Sequence, residues 1–170
     1  YAYQGGGSRA GWGRGNELPG FGADYKHALR EPGPWKMRLY GFGECLPRES
    51  NYVTLDPDTV DTWGIPALQI HCQWSDNERA ALRDMTVQAA EMLEATGVRD
   101  VSSFTEDNPP GLTIHEMGTA RMGRDPETSV LNEWNQSWDV PNLFVTDGAC
   151  MASSGNQNPS LTYMALTARA

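Results

Sequence analysis

Residues 75–97 leave the chain the least freedom. Ser75-Asp76-Asn77-Glu78 is a capping box, with serine at the N-cap and a glutamate three residues on that can return to the serine N–H. The run it opens sets Leu82, Met85, Ala89 and Met92 on one face at helical spacing, and Gly97 stands where a helix can end on a left-handed residue. Such a stripe has to be buried, and three short strand-like runs upstream (36–42, 51–55 and 67–74) offer a sheet for the helix to cover. Asp56-Pro57-Asp58 reads as a turn after the second of them. A sheet with a packing helix is the expected core of the first hundred residues.

The first 35 residues, rich in glycine and aromatics, are expected to form a loop crossing a surface. Gly5-Gly6-Gly7-Ser8-Arg9-Ala10 resembles a dinucleotide fingerprint, yet no apolar strand precedes it and no helical pattern follows. Charge removes one class of function. The chain has 13 Lys and Arg against 22 Asp and Glu, net −9, and no basic cluster, so it repels a phosphate backbone and is not expected to bind nucleic acid. No apolar run approaches the ~18 residues a membrane helix needs. The opening Tyr-Ala-Tyr-Gln-Gly-Gly-Gly has neither the basic start nor the apolar centre of a signal peptide. With no initial Met, the chain is expected to be a fragment; any export signal would lie upstream, and the compartment stays open.

Cys45, Cys72 and Cys150 are odd in number and form no Cys-x-x-Cys pair, which argues against a disulfide framework or zinc knuckle. They read as small buried hydrophobes. His27 and His71 read as surface or satisfied core residues, and the three histidines lack metal spacing.

After a loop at 107–111 the composition changes, and three features there can carry chemistry. His115 lies in Ile114-His115-Glu116-Met117-Gly118-Thr119, with Met122-Gly123 shortly after. Asp147-Gly148 follows an apolar run at 142–146, expected to be a strand, and so falls at a strand's carboxyl end, where open α/β sheets present groups to ligands. Asn158-Pro159 is a strong helix start, Asn at the N-cap and Pro at the first helical position, before an apolar helix over 161–170. Each feature alone has an ordinary structural explanation. Their order and spacing are what is specific.

Taken together, residues 36–170 resemble the C-terminal part of a glucose–methanol–choline (GMC) family flavin oxidoreductase. In the first half the resemblance rests on Leu46-Pro47, on 50–57 (Ser-Asn-Tyr-Val-Thr-Leu-Asp-Pro) and on 61–66 (Asp-Thr-Trp-Gly-Ile-Pro). In the second half it rests on 115–123 (His-Glu-Met-Gly-Thr-Ala-Arg-Met-Gly), Ser129-Val130-Leu131, 142–148 and 158–162 (Asn-Pro-Ser-Leu-Thr). The implied fold is mixed α+β and α/β. An antiparallel-sheet substrate domain with helices would occupy 1–105. Residues 106–170 would be the C-terminal portion of a Rossmann-like FAD-binding domain begun in an N-terminal segment of the same chain, which also carries the family's Gly-x-Gly-x-x-Gly fingerprint.

The implied activity is FAD-dependent oxidation of an alcohol. The family's catalytic pair maps onto His115 and Asn158, the second position being His in some members. Imidazole titrates near neutrality and can accept the hydroxyl proton while the carbinol hydrogen leaves as hydride to flavin N5. Asn158, a neutral donor, would hold the substrate oxygen. The helix after Asn158 and Pro159 would offer its N-terminal N–H groups to the flavin N1 and C2=O edge. Gly118, Thr119, Asp147 and Gly148 correspond to segments passing close to the flavin, with Asp147 orienting backbone and sugar hydroxyls. The Asn and the His-Glu-Met-Gly-Thr wording resemble bacterial members acting on sugars, sugar acids or polyols. Expected partners are that small-molecule substrate, an electron acceptor and the N-terminal segment. Oxidase and dehydrogenase are not distinguished.

A non-catalytic carbohydrate-binding module stays open as the alternative, since Trp12, Trp35, Trp63, Trp74, Trp134 and Trp138 could stack on sugar faces. A serine hydrolase is disfavoured because Gly-x-Ser-x-Gly is absent, and a metal hydrolase because only His115 has a convincing setting.

Overall fold

In a computed structural model that describes residues 1–105, 108–112 and 114–170, the chain divides into two units. One contains Ala2–Phe42 and Asp84–Phe104; the other contains Tyr1, Gly43–Arg83 and Thr105–Ala170.

In the first unit, β1 (Ala2–Arg9) pairs antiparallel with β2 (Trp35–Phe42) in unbroken register from Ala2 opposite Phe42 to Arg9 opposite Trp35. Between them come a short 3-10 helix, Trp12–Glu17, and α1 (Gly22–Arg30). The expected loop over the first 35 residues is thus corrected. Glycine has low intrinsic preference for strands, and here the ladder supplied by the 36–42 run overrides it. Gly5-Gly6-Gly7 lies inside β1, so it forms no phosphate-binding turn. Arg14 closes the connection by donating from Nη2 to the carbonyls of Ala28 and Glu31. The last turns of α2 (Asp76–Ala95) belong to this unit. Met85 is buried there, and the Tyr3 hydroxyl donates to its carbonyl at 2.8 Å. Gly41 allows this packing, because a Cβ on it would fall 3.0 Å from Met85 Sδ and 3.4 Å from the Tyr3 ring. Leu82 and Ala89 are half-buried on the expected stripe, but Met92 is exposed and Leu93 takes its place.

The second unit opens with an antiparallel hairpin, β3 (Tyr52–Val60) and β4 (Pro66–His71). The turn expected at Asp56-Pro57-Asp58 is present only as local hydrogen bonding. Asp56 Oδ1 accepts from the N–H groups of Asp58 (2.9 Å) and Thr59 (3.1 Å), and β3 continues beyond it with a register shift between Leu55 and Val60. The true reversal is at Asp61, whose Oδ1 accepts from Trp63 and Ile65 N–H.

The capping box forms as expected. Ser75 Oγ accepts from Asn77 N–H at 3.2 Å, and Glu78 accepts from Ser75 N–H at 2.6 Å and from the Ser75 hydroxyl. Glu78 also accepts from Leu46 N–H at 3.3 Å, so the box fastens the helix start to the 45–50 segment. Burial favours the neutral carboxyl, yet the hydrogen bonds from Ser75 and Leu46 outweigh it and hold Glu78 down at about 2. At the other end Gly97 adopts φ +81, and its N–H closes on Glu94 O at 2.9 Å.

The described part of 106–170 is mostly irregular backbone around Leu131, Asn135 and Cys150, all fully buried. The first residue of the expected 107–111 loop lies outside the described residues. The strand expected at 142–146 is reduced to one bridge, Phe144 with Gln136. Its ladder is interrupted because Val145 C=O is taken by the Asn135 side-chain amide at 2.9 Å. Asp147-Gly148 therefore ends an irregular segment and begins a 3-10 turn, Gly148–Cys150. The last helix, α3 (Ser160–Arg169), packs against that turn.

Candidate active site

Three backbone hydrogen bonds assemble the region around His115. Gly118 N–H donates to Gly148 O (3.4 Å), Ala120 N–H to Ala149 O (3.0 Å) and Met122 N–H to Cys150 O (2.8 Å). The segment after His115 is thereby laced, every second residue, to the turn that begins at Asp147. This brings Gly118 and Thr119 beside Asp147 and Gly148, four of the residues singled out in the sequence. Gly118 holds φ +86, a left-handed conformation costly for any residue with a Cβ, and a Cβ there would press on Met151 O at 3.3 Å. His115 itself is half-buried and follows Ile114, which has φ +64 and an exposed side chain.

Asp147 Oδ1 accepts from Ala149 N–H at 2.8 Å, so one carboxylate oxygen is used in shaping the turn. A Cβ on Gly148 would sit 2.4 Å from Met117 Sδ, so the flexible end of that side chain would have to move to admit one. The Met117 side chain thus lies across the position where the sequence had suggested close approach by a ligand.

Asn158 departs from expectation. Pro159 takes helical dihedrals (φ −87, ψ −4), and its carbonyl receives Thr162 N–H at 2.9 Å and Tyr163 N–H at 3.3 Å. The helix therefore starts at Ser160, and Asn158 makes no capping hydrogen bond. It stands exposed immediately before the helix, while Pro159 is buried. The N–H groups of Ser160 and Leu161, in the first turn of α3, have no carbonyl behind them to accept. At its other end α3 is fastened by the Thr167 hydroxyl, which donates to Thr146 O at 3.1 Å, one residue before Asp147.

Sequence reasoning missed the turn at 132–136. Asn132 Oδ1 accepts from Trp134 N–H (2.8 Å) and Gln136 N–H (3.2 Å), and Asn135 binds Val145 through both backbone and side chain. Two asparagines three residues apart were the available signal, since Asn readily closes turns and tolerates positive φ. Asn135 has φ +62.

The Cys150 thiol is pushed up by burial, as is that of Cys45, where the Glu78 carboxylate adds to the effect. All three cysteines are free. Among the described residues no cluster of His, Cys, Asp or Glu could hold a metal ion, and no helix is long and apolar enough to cross a membrane.

Comparison with known proteins gives first the class. The chain is 44% identical over 137 residues to a 2-methyl-1,2-propanediol dehydrogenase of Mycolicibacterium austroafricanum, covering 79% of this chain and 24% of that protein. It is 29% identical over 155 residues to a gluconate 2-dehydrogenase flavoprotein of Pantoea cypripedii, covering 88% and 25%. It is 33% identical over 135 residues to a fructose dehydrogenase large subunit of Gluconobacter japonicus, covering 78% and 24%. These relatives are oxidoreductases. The family follows: a model described as GMC oxidoreductase matches residues 47–167, and the chain belongs to that family. It spans about a quarter of the length of the curated relatives it matches.

Proposed function

We propose that these residues are part of an FAD-dependent oxidoreductase that oxidises the CH–OH group of a small alcohol, with His115 as base and Asn158 as the substrate-oxygen donor. The reading is carried by the lacing of 118–122 to 148–150, which joins the His115 segment to the Asp147 segment in a chain of this family. In this proposal residues 1–105 belong to the substrate domain and 106–170 to the Rossmann-like FAD-binding domain.

The residues present suit one edge of a flavin. The unpaired Ser160 and Leu161 N–H groups are neutral donors at a helix N-terminus, matched to an electron-rich pyrimidine edge. Asp147, already turned onto Ala149 N–H, shapes the loop that Gly118 pairs with. When bound, FAD supplies the hydride acceptor. His115 takes the hydroxyl proton at an imidazole nitrogen. Asn158, not engaged in capping, keeps its amide N–H for the substrate oxygen; a donor aimed at such an oxygen is worth about 3 kcal/mol where water is excluded.

The remainder of the FAD site falls to a preceding segment of the same chain. Large apolar side chains such as Trp12, Leu55, Leu68 and Ile70 stand in the open, as surfaces that pack against a further segment would. The substrate is a diol, polyol, sugar or sugar acid, in keeping with the substrates named for the relatives, and an external acceptor reoxidises the flavin.

The test is the visible spectrum of the purified protein, before and after anaerobic addition of 2-methyl-1,2-propanediol, gluconate and fructose. A flavin band bleached by one of them is expected. A colourless protein that takes up no flavin would overturn the reading.

A further inference from the structure

We infer that Asn135 is a positioning residue for the flavin-facing Asp147–Gly148 segment, acting through Val145. The inference rests on the flavin-dependent reading above. Asn135 is fully buried, sits at φ +62 and leaves its Oδ1 without a hydrogen-bond partner. Asparagine tolerates that φ, but a buried amide oxygen without a partner calls for an explanation. There it clamps Val145, whose N–H donates to Asn135 O at 3.0 Å and whose carbonyl accepts from Asn135 Nδ2 at 2.9 Å, and its side chain also reaches the Cys150 thiol at the end of the Gly148–Cys150 turn. Val145 is two residues before Asp147.

The same turn also holds the helix that carries the proposed N-terminal donors. The Arg169 guanidinium lies 5.2 Å from the Trp134 ring centre and donates to Glu133 O. Thr167 in turn binds Thr146 O. Both features proposed to face the flavin, the Asp147 turn and α3, are thus fastened to residues 132–136. Neither Asn135 nor Arg169 has to touch substrate or cofactor to set where those features stand.

The discriminating variant is Asn135→Gly in the purified, flavin-loaded protein. Glycine suits φ +62 and keeps the backbone bonds to Asn132 and Val145, so only the side-chain amide is lost. Flavin release and the anaerobic reduction rate at saturating substrate are measured beside the thermal midpoint. Release about tenfold faster and reduction about tenfold slower are expected, with substrate affinity held within about twofold, because sub-ångström misplacement acts on the reacting geometry. Met85→Ala, in the other unit, is the control for lost stability and should leave both rates within about twofold.

Should Asn135→Gly fail to fold, Asn135→Asp carries the test, since aspartate keeps the size and the tolerance of positive φ but removes the amide donor to Val145 O; the same changes are expected. Rates unchanged from wild type in either variant, or an equal fall in Asn135→Gly and Met85→Ala, would overturn the inference alone. A wild-type protein without a flavin band would overturn the flavin reading and this inference with it.

Discussion

Replacing Glu78 with Gln tests how much one buried carboxylate holds the start of α2. Its side chain is 5% exposed and receives Ser75 N–H (2.6 Å), the Ser75 hydroxyl and Leu46 N–H (3.3 Å), with Arg48 at 3.9 Å as a weaker partner. A carboxylate accepts all of these; an amide must point an N–H₂ at one of the donors. The carboxyl is held at about 2, below its ordinary 4.5, so ionisation favours the folded state by about 3 kcal/mol at neutral pH. A depressed acid of this kind contributes fully above about pH 4.5, and the contribution fades as pH falls toward 2. Glu78→Gln should therefore cost about 2–3 kcal/mol at pH 7 and much less at pH 3. Urea unfolding followed by tryptophan fluorescence at both pH values reads the difference. A cost that is the same at pH 7 and pH 3, or below about 0.5 kcal/mol at pH 7, would refute the reasoning.

Three further outcomes are expected. Asn158→Ala should slow flavin reduction by substrate yet leave thermal stability within about 0.5 kcal/mol, because no cap bond is lost; a loss of about 1 kcal/mol would show that Asn158 caps α3 after all. Gly148→Ala should cost no more than about 1 kcal/mol, because the Met117 thioether that meets the new methyl is the flexible end of a side chain, and Gly148→Ala combined with Met117→Ala should remove that cost, as a double-mutant unfolding cycle would reveal. Cys150, fully buried with its thiol pushed up, should resist iodoacetamide at pH 8 in the native protein while the half-buried Cys45 and Cys72 are modified first, as peptide mass mapping would report.

The parts of the fold legible in the sequence are those whose cause is local. The capping box needs only Ser75 and Glu78, three residues apart, and Gly97 ends the helix by its own backbone freedom. β2 and β4 carry their own strand-forming side chains. β1 does not: a run of three glycines becomes a strand only because Trp35–Phe42, some thirty residues on, offers it a ladder. The 142–146 run has a strand's composition but meets the Asn135 amide where a neighbouring strand would have been. Within the candidate site, the motif order gave His115, Gly118, Thr119, Asp147 and Gly148, and the backbone lacing gives a physical reason for four of them to be close together. The clamp around Asn135 was hidden, because its partners lie 10 residues away at Val145 and, through Arg169, 36 residues away from Glu133. Asn158 misled in one respect, since Pro159 can start a helix with its own carbonyl and leave the preceding side chain unused.

The central claim, that His115 receives the alcohol proton in a flavin-dependent oxidation, is met most directly by stopped-flow reduction of the bound flavin under anaerobic conditions, wild type against His115→Ala. The account predicts that the variant keeps its flavin band and is reduced on the order of 100-fold more slowly at neutral pH. Reduction of His115→Ala at the wild-type rate would contradict it.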